Sequence, residues 1–187
     1  MQRQYPQRKP LRLKDYDYRH SGLYFVTVCT YLRASLFGVV QNEAVALNWW
    51  GRIVEQEWLR SGDVRTGVYL DAYVVMPNHF HGIIGIADGA RDGSAEPSQT
   101  KDTGEDGNKF SAKGGAKSGS LGAVVGQFKS MATRRIWQTA GAEARPLIWQ
   151  RGFHDHIIRN EEDLSRIRQY VTANPARWRE DSLFSDG

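Results

Sequence analysis

Two histidines, His79 and His81, stand one residue apart in the otherwise apolar run "VVMPNHFHGIIGI", Val74 to Ile86. Residues i and i+2 of a strand share a face, with Cα atoms about 7 Å apart. Two imidazoles so placed can converge on one ion at N–metal distances of about 2.0–2.2 Å. Phe80 would then point the other way, into a core. The same two rings could equally be satisfied by hydrogen bonds on a half-exposed sheet face, and the spacing leaves both readings open. A second pair, His154 and His156, flanks Asp155 in "GFHDHIIRN". Were the two pairs to face each other, four histidines and Asp155 would suit the zinc site of a hydrolase.

Tyr170 and Asn174 offer different chemistry. On a helix, residues i and i+4 share a face about 6 Å apart along the axis. A phenol and an amide oxygen could therefore approach the same metal. Tyr170 also fits the apolar side of such a helix, and Asn174 also fits its end.

The elements that must position these residues can be read from periodicity. "GLYFVTVCTY", Gly22 to Tyr31, is aromatic and β-branched and reads as a buried strand. "SLFGVVQNEAVAL" reads as a turn, with Phe37 and Val39–Val40 in a short second strand. From about Ala44 to Leu59, Leu47, Trp50, Ile53, Val54 and Trp58 recur at helical spacing, and Gly62–Asp63 ends that helix. "GVYLDAYVVM" and "HFHGIIGI" read as paired strands about a Pro77–Asn78 turn, because proline removes a donor and restrains its predecessor.

Ser120 is placed to cap a helix with an apolar stripe of Leu121, Val124, Val125, Phe128, Met131 and Ala132. Lys129, Arg134 and Arg135 lie mostly off that stripe. "LIWQRGFHDHIIRN" reads as a strand. Asn160 then caps a last helix whose first turn holds Glu161, Glu162 and Asp163, where the helix dipole favours negative charge. Leu164, Ile167 and Val171 face inward, and Asn174–Pro175 ends the helix. The expected fold is α+β, a single domain over 1–187 with a central, mostly antiparallel sheet flanked by helices.

Composition sets the bounds. The 187 residues are 40% hydrophobic and 25% charged, as in an ordinary soluble chain with a real core. No run of 18 apolar residues exists to span a membrane, and the N-terminus lacks the apolar segment of a secretory signal. The single Cys29 excludes an internal disulfide and a cysteine zinc ribbon. A reducing, bacterial-type cytosol suits such a chain. The net charge is +4, and residues 1–20 alone carry six basic side chains against Asp15 and Asp17. The excess is thus a basic arm, suited to a phosphate-rich partner or merely to solvent. Positions 87–120 hold seven glycines and one aromatic residue, Phe110, and read as a flexible insertion within one domain.

Taken together, "PNHFH" in mid-chain and "FHDHIIRNEEDLSRIRQYVTANPARW" near the end resemble the single-tyrosine HUH transposases. Within them the chain is most similar to the REP-associated tyrosine transposases, whose openings also resemble "RLKDYDYRHSGLYFVTVCTY". The resemblance spans about residues 10 to 180 apart from the insertion. It implies a ferredoxin-like, RRM-like HUH architecture. His79 and His81 match the histidine ligands, Tyr170 the nucleophile, and Asn174 the polar position completing the metal site. His156 and Arg159 match an "H-I-I-R" stretch to which no catalytic role attaches. His154 falls where relatives often carry an aromatic residue, which argues against it as a required ligand.

The resemblance implies nicking and rejoining of single-stranded or hairpin DNA formed by palindromic repeats, through a 5′-phosphotyrosine, by a monomer or homodimer in the cytosol at the nucleoid. It also implies Mg²⁺ or Mn²⁺; imidazole ligands alone favour Mn²⁺. Arg8, Lys9, Arg12 and Lys14 of the arm, with Lys129, Arg134 and Arg135, are the candidate phosphate contacts. Tyr16, Tyr18 and Trp49 are candidates to stack unpaired bases. A zinc hydrolase built on all four histidines and a non-catalytic nucleic-acid-binding domain are the rival readings.

Overall fold

The computed structural model describes residues 21–92, 119–141 and 145–184. The arm with Arg8, Lys9, Arg12 and Lys14, the tyrosines Tyr16 and Tyr18, and positions 93–118 of the insertion lie outside the described residues.

In β1 (Gly22–Cys29), Tyr24, Val26 and Val28 are buried on one face while Leu23, Phe25 and Thr27 take the other. β4 (Arg65–Val75) and β5 (His79–Asp92) form a long hairpin about Pro77–Asn78, and β6 (His154–Ile158) closes a four-stranded sheet. The strand order is β4-β5-β1-β6 and all three pairings are antiparallel. The helices are α1 (Trp49–Asp63), α2 (Leu121–Thr139) and α3 (Glu161–Ala173). Setting aside one small hairpin, the succession β1-α1-β4-β5-α2-β6 is the ferredoxin-like pattern, with α3 appended. The fold is α+β, as expected. Among the described residues no helix is long and apolar enough to cross a membrane.

Four boundaries differ from the sequence reading. Ala44–Leu47 is not helical: it is strand β3, paired with β2 (Gly38–Gln41) from Gly38↔Leu47 to Gln41↔Ala44. Asn42 and Glu43, at φ 50° and 60°, form the left-handed two-residue turn that joins them. Asn48 Oδ1 then accepts from Gly51 N–H, so the helix begins only at Trp49, and it runs on through Gly62 to Asp63. β5 continues to Asp92, inside the supposed insertion, because β4 supplies a backbone partner as far as Arg65↔Asp92. At the other end β6 is shorter than read, since Gly152 turns the chain at φ 81° and Trp149 makes only a single bridge to Thr30.

The two sheet faces have different jobs. α1 and α2 cover one, where Phe80 sits 4.6 Å from the Trp58 ring and 5.2 Å from Phe128, centroid to centroid. Gly82 is needed there, since a Cβ would lie 2.6 Å from the Trp58 ring. On the other face α3 packs through Leu164, Ile167 and Val171 onto Ile83 and Ile158. Asn160 Oδ1 caps α3 by accepting from Asp163 N–H.

Two ion pairs fasten this helix to opposite edges of the sheet. Arg168 donates two hydrogen bonds to Asp71 of β4, at 2.9 and 2.6 Å, where the strand's register shifts between Leu70 and Tyr73. Asp163 meets His156 of β6 at 2.8 Å. The Arg168 hydrogen bonds hold the Asp71 carboxyl below its ordinary pKa.

Removing the Phe80 ring should cost about 3–5 kcal/mol of stability, read as a lower urea midpoint for Phe80→Ala at unchanged m-value. Because the folded pKa of Asp71 is depressed, its pair stabilises the fold above the unfolded value of about 3.9 and ceases to do so as pH falls through the folded value. Asp71→Asn should therefore lower the melting temperature at pH 7, and its deficit should shrink below about pH 4. A deficit unchanged at pH 2 would refute that origin.

Candidate active site and metal centre

Burial of Phe80 on the α1/α2 face obliges its neighbours, His79 and His81, to face α3. Both are buried, at 0% and 2% exposure, with ring centroids 4.4 Å apart. Asn78 fixes the first ring. Its amide nitrogen donates to Leu183 C=O at 2.8 Å, so its oxygen is left to accept from His79 Nδ1–H, also at 2.8 Å. That tautomer leaves a lone pair on His79 Nε2, a buried atom with no hydrogen-bond partner among the described residues. His81 Nδ1 meets Thr27 Oγ1 of β1 at 2.9 Å, and its Nε2 points at Tyr170. Burial, opposed by the Asp181 carboxylate, pushes His79 down to about 4. His81 is lowered by burial and by its neighbour His79, so both imidazoles are neutral near pH 7.

The third member arrives from beyond α3. Past Asn174–Pro175 a 3-10 turn, Trp178–Glu180, packs the Trp178 ring 5.9 Å from His79 and delivers Asp181 beneath it. Asp181 Oδ2 lies 3.8 Å from His79 Nε2 and accepts from Asn174 Nδ2 at 2.8 Å. One donor atom each from His79, His81 and Asp181 falls within 4.8 Å of the others. Asn174, 3% exposed, keeps its amide oxygen buried without a hydrogen-bond partner. Two partnerless lone pairs beside a carboxylate fit a divalent cation. The sequence reading missed Asp181, since no spacing rule links it to histidines a hundred positions earlier.

Tyr170 completes the group. Its hydroxyl lies 3.3 Å from His81 Nε2, and its ring meets Phe25 edge-on at 6.0 Å. It is 44% exposed, on a groove of about 970 Å³. Burial raises its pKa, the Asp181 charge adds to the rise, and the Asn174 amide opposes it. The resting side chain is therefore a phenol.

Other candidates lie elsewhere. His154 and His156 share the sheet face of His79 and His81 but stand on β6, across the whole width of β1. His156 is paired with Asp163, and His154 is exposed. The four-histidine zinc centre is thus not assembled, because β1 separates the pairs. Lys129 donates to Gln150 C=O and Gly152 C=O at 2.8 and 2.6 Å, and burial lowers it to about 8. Arg135 ties α2 to α1 through Glu57 and Gln56. Both cations, read from the sequence as candidate phosphate contacts, have partners within the fold. Arg134 is exposed, on the helix layer that covers the opposite face. Trp49 is 63% exposed at the start of α1.

With this geometry in hand, the comparisons are specific. An uncharacterized protein of Haemophilus influenzae is 35% identical over 179 residues, covering 96% of this chain and 94% of that protein. The chain belongs to that protein's family. No family model matches it. Among solved structures, the REP-associated tyrosine transposase bound to a REP hairpin superposes with a TM-score of 0.55 at 19% identity, over 89% of this chain and 74% of that one. At that identity the likeness is one of fold, and the chain has the fold of the REP-associated tyrosine transposase that its motifs resemble.

Added Mn²⁺ should raise the melting temperature of the purified protein. Asp181→Asn and His79→Ala should each weaken Mn²⁺ binding by at least about tenfold, measured by calorimetry. Unchanged affinity in both variants would remove these residues from the centre.

Proposed function

We propose that the chain is a DNA transposase that nicks and rejoins single strands through Tyr170, in the bacterial-type cytosol where chromosomal DNA is at hand. The observation that carries this reading is the 3.3 Å approach of the Tyr170 hydroxyl to His81 Nε2, beside a convergent donor set and on an open groove. A structural tyrosine needs neither the donor set nor the groove.

In the proposed reaction the Tyr170 oxygen attacks a backbone phosphorus. The new O–P bond replaces the bond from phosphorus to the 3′-oxygen, leaving a 5′-phosphotyrosine and a strand ending in a 3′-hydroxyl. The phenolic proton leaves Tyr170 and a proton is taken up by the departing 3′-oxygen, so no energy cofactor is consumed. The covalent link conserves the phosphodiester for rejoining. At a pKa of about 10 only ~0.1% of a tyrosine is phenolate at pH 7, so a proton acceptor at the hydroxyl matters. Among the described residues, His81 Nε2 touches the hydroxyl; that lone pair takes the proton only while it is not given to a metal, and otherwise the proton passes to solvent on the open groove. Phe25 and the hydrophobic seat of α3 hold the ring in place. His79, His81 and Asp181, with Asn174, would hold Mg²⁺ or Mn²⁺, which supplies polarisation of the scissile phosphate and charge stabilisation when bound.

The substrate class proposed is a hairpin with single-stranded flanks, in keeping with the REP hairpin bound by the structural neighbour. The arm residues Arg8, Lys9, Arg12 and Lys14 and the exposed Arg134 are proposed to contact phosphates, which would make binding salt-sensitive but nearly blind to sequence.

A 3′-labelled hairpin drawn from the DNA flanking the gene, incubated with Mn²⁺ or Mg²⁺, should give a protein–DNA adduct that survives denaturing electrophoresis. Tyr170→Phe should reduce that adduct by at least about 10³-fold while leaving hairpin binding intact. An adduct persisting in Tyr170→Phe would refute the nucleophile.

A further inference from the structure

The groove on which Tyr170 opens does not stop at the donor set. It continues over Thr27 of β1 to His154 and His156 of β6, and Arg166 of α3 and Arg177 also line it. The register fixes this path: His81 pairs with Thr27, and Thr27 pairs with His154, so the three side chains lie in one row on one sheet face. At about 4.8 Å per strand, His154 stands roughly 10 Å from His81.

The basic side chains along the groove fall into two kinds. His156 and Arg166 are both bonded to Asp163. His154 and Arg177 are exposed and have no side-chain partner among the described residues. The carboxylates lining the groove are Asp181, a member of the donor set, and Glu180.

We propose that His154 and Arg177 form a phosphate subsite that holds the nucleotide next to the one cut. This rests on the reading of the groove as the path of a DNA strand. An imidazole N–H and a guanidinium lining one groove suit the two free oxygens of a phosphodiester, and the guanidinium can donate in a bidentate manner. The subsite sits about one to two nucleotides from the scissile position, along the row from His81 through Thr27 to His154. It holds the strand on the sheet between nicking and rejoining. This role explains an exposed histidine that the metal centre does not use.

The test replaces single phosphates of the hairpin oligonucleotide by neutral methylphosphonates, at each of the two positions adjoining the cleaved one. Cleavage by the wild-type protein and by His154→Ala and Arg177→Ala is compared with Mn²⁺ present. Each variant should raise KM about tenfold with little change in kcat. At one flanking position the methylphosphonate should impose a similar penalty on the wild type and almost none on the variants, since the same contact cannot be lost twice.

Wild-type KM in both variants, or equal methylphosphonate penalties in all three proteins at both positions, would overturn the subsite. Equilibrium binding of the same oligonucleotides in the Tyr170→Phe background reads the subsite independently of cleavage. Loss of the adduct in the wild type would count against the transposase reading, while loss of the phosphate coupling in binding would count against the subsite.

Discussion

The packing of Phe80 between Trp58 and Phe128 is the constraint on which the site depends. A strand has only two faces, and a residue buried on one commits both neighbours to the other. With Phe80 seated, His79 and His81 must lie together beneath α3. A register slip of one residue would bury the histidines under α1 and α2 and send Phe80 into the groove. The glycine at position 82, forced by the Trp58 ring, guards the same register. The hydrophobic core thus sets the coordinates of the polar centre.

Where α3 sits decides whether a tyrosine meets those histidines. Its apolar contacts are few, mainly Leu164, Ile167 and Val171 on Ile83 and Ile158. Direction comes from the polar ties: Asp163 to His156 on one edge strand, and Arg168 to Asp71 on the other. Together they lay the helix across the sheet so that its last turn ends over His79 and His81. Tyr170 then faces His81, and Asn174 meets Asp181. The buried imidazoles are neutral and the phenol is protonated, because burial disfavours the charged form of each.

Much of this was legible in the sequence, for physical reasons that differ by element. The strand GLYFVTVC and the caps Asn160 and Ser120 are local signals, and the backbone follows them. The pairing of His79 with His81 and of Tyr170 with Asn174 followed from the two periodicities alone. Residues 44–47 were misread because AVAL suits a strand or a helix, and only the left-handed turn at Asn42–Glu43 decides between them. The partners of Lys129 and Arg135 were not legible, because charge off an apolar stripe does not reveal a carbonyl or carboxylate brought near by another element. Asp181 was invisible for the same reason, being placed by a turn packed through Trp178.

The division of the sheet into two faces also limits how a nucleic acid can reach the centre. α1 and α2 cover the face opposite the histidines, so cations on those helices belong to the other side of the sheet from Tyr170. On the reactive face, the cluster under α3 takes in Val74 and Ala72 of β4, Ile83 of β5, Leu23 and Phe25 of β1 and Ile158 of β6. The groove lies beyond it, at the Thr27 end of β1 and the His154 end of β6. That short edge strand serves two purposes: His154 lines the groove, and His156 ties α3 to the sheet through Asp163.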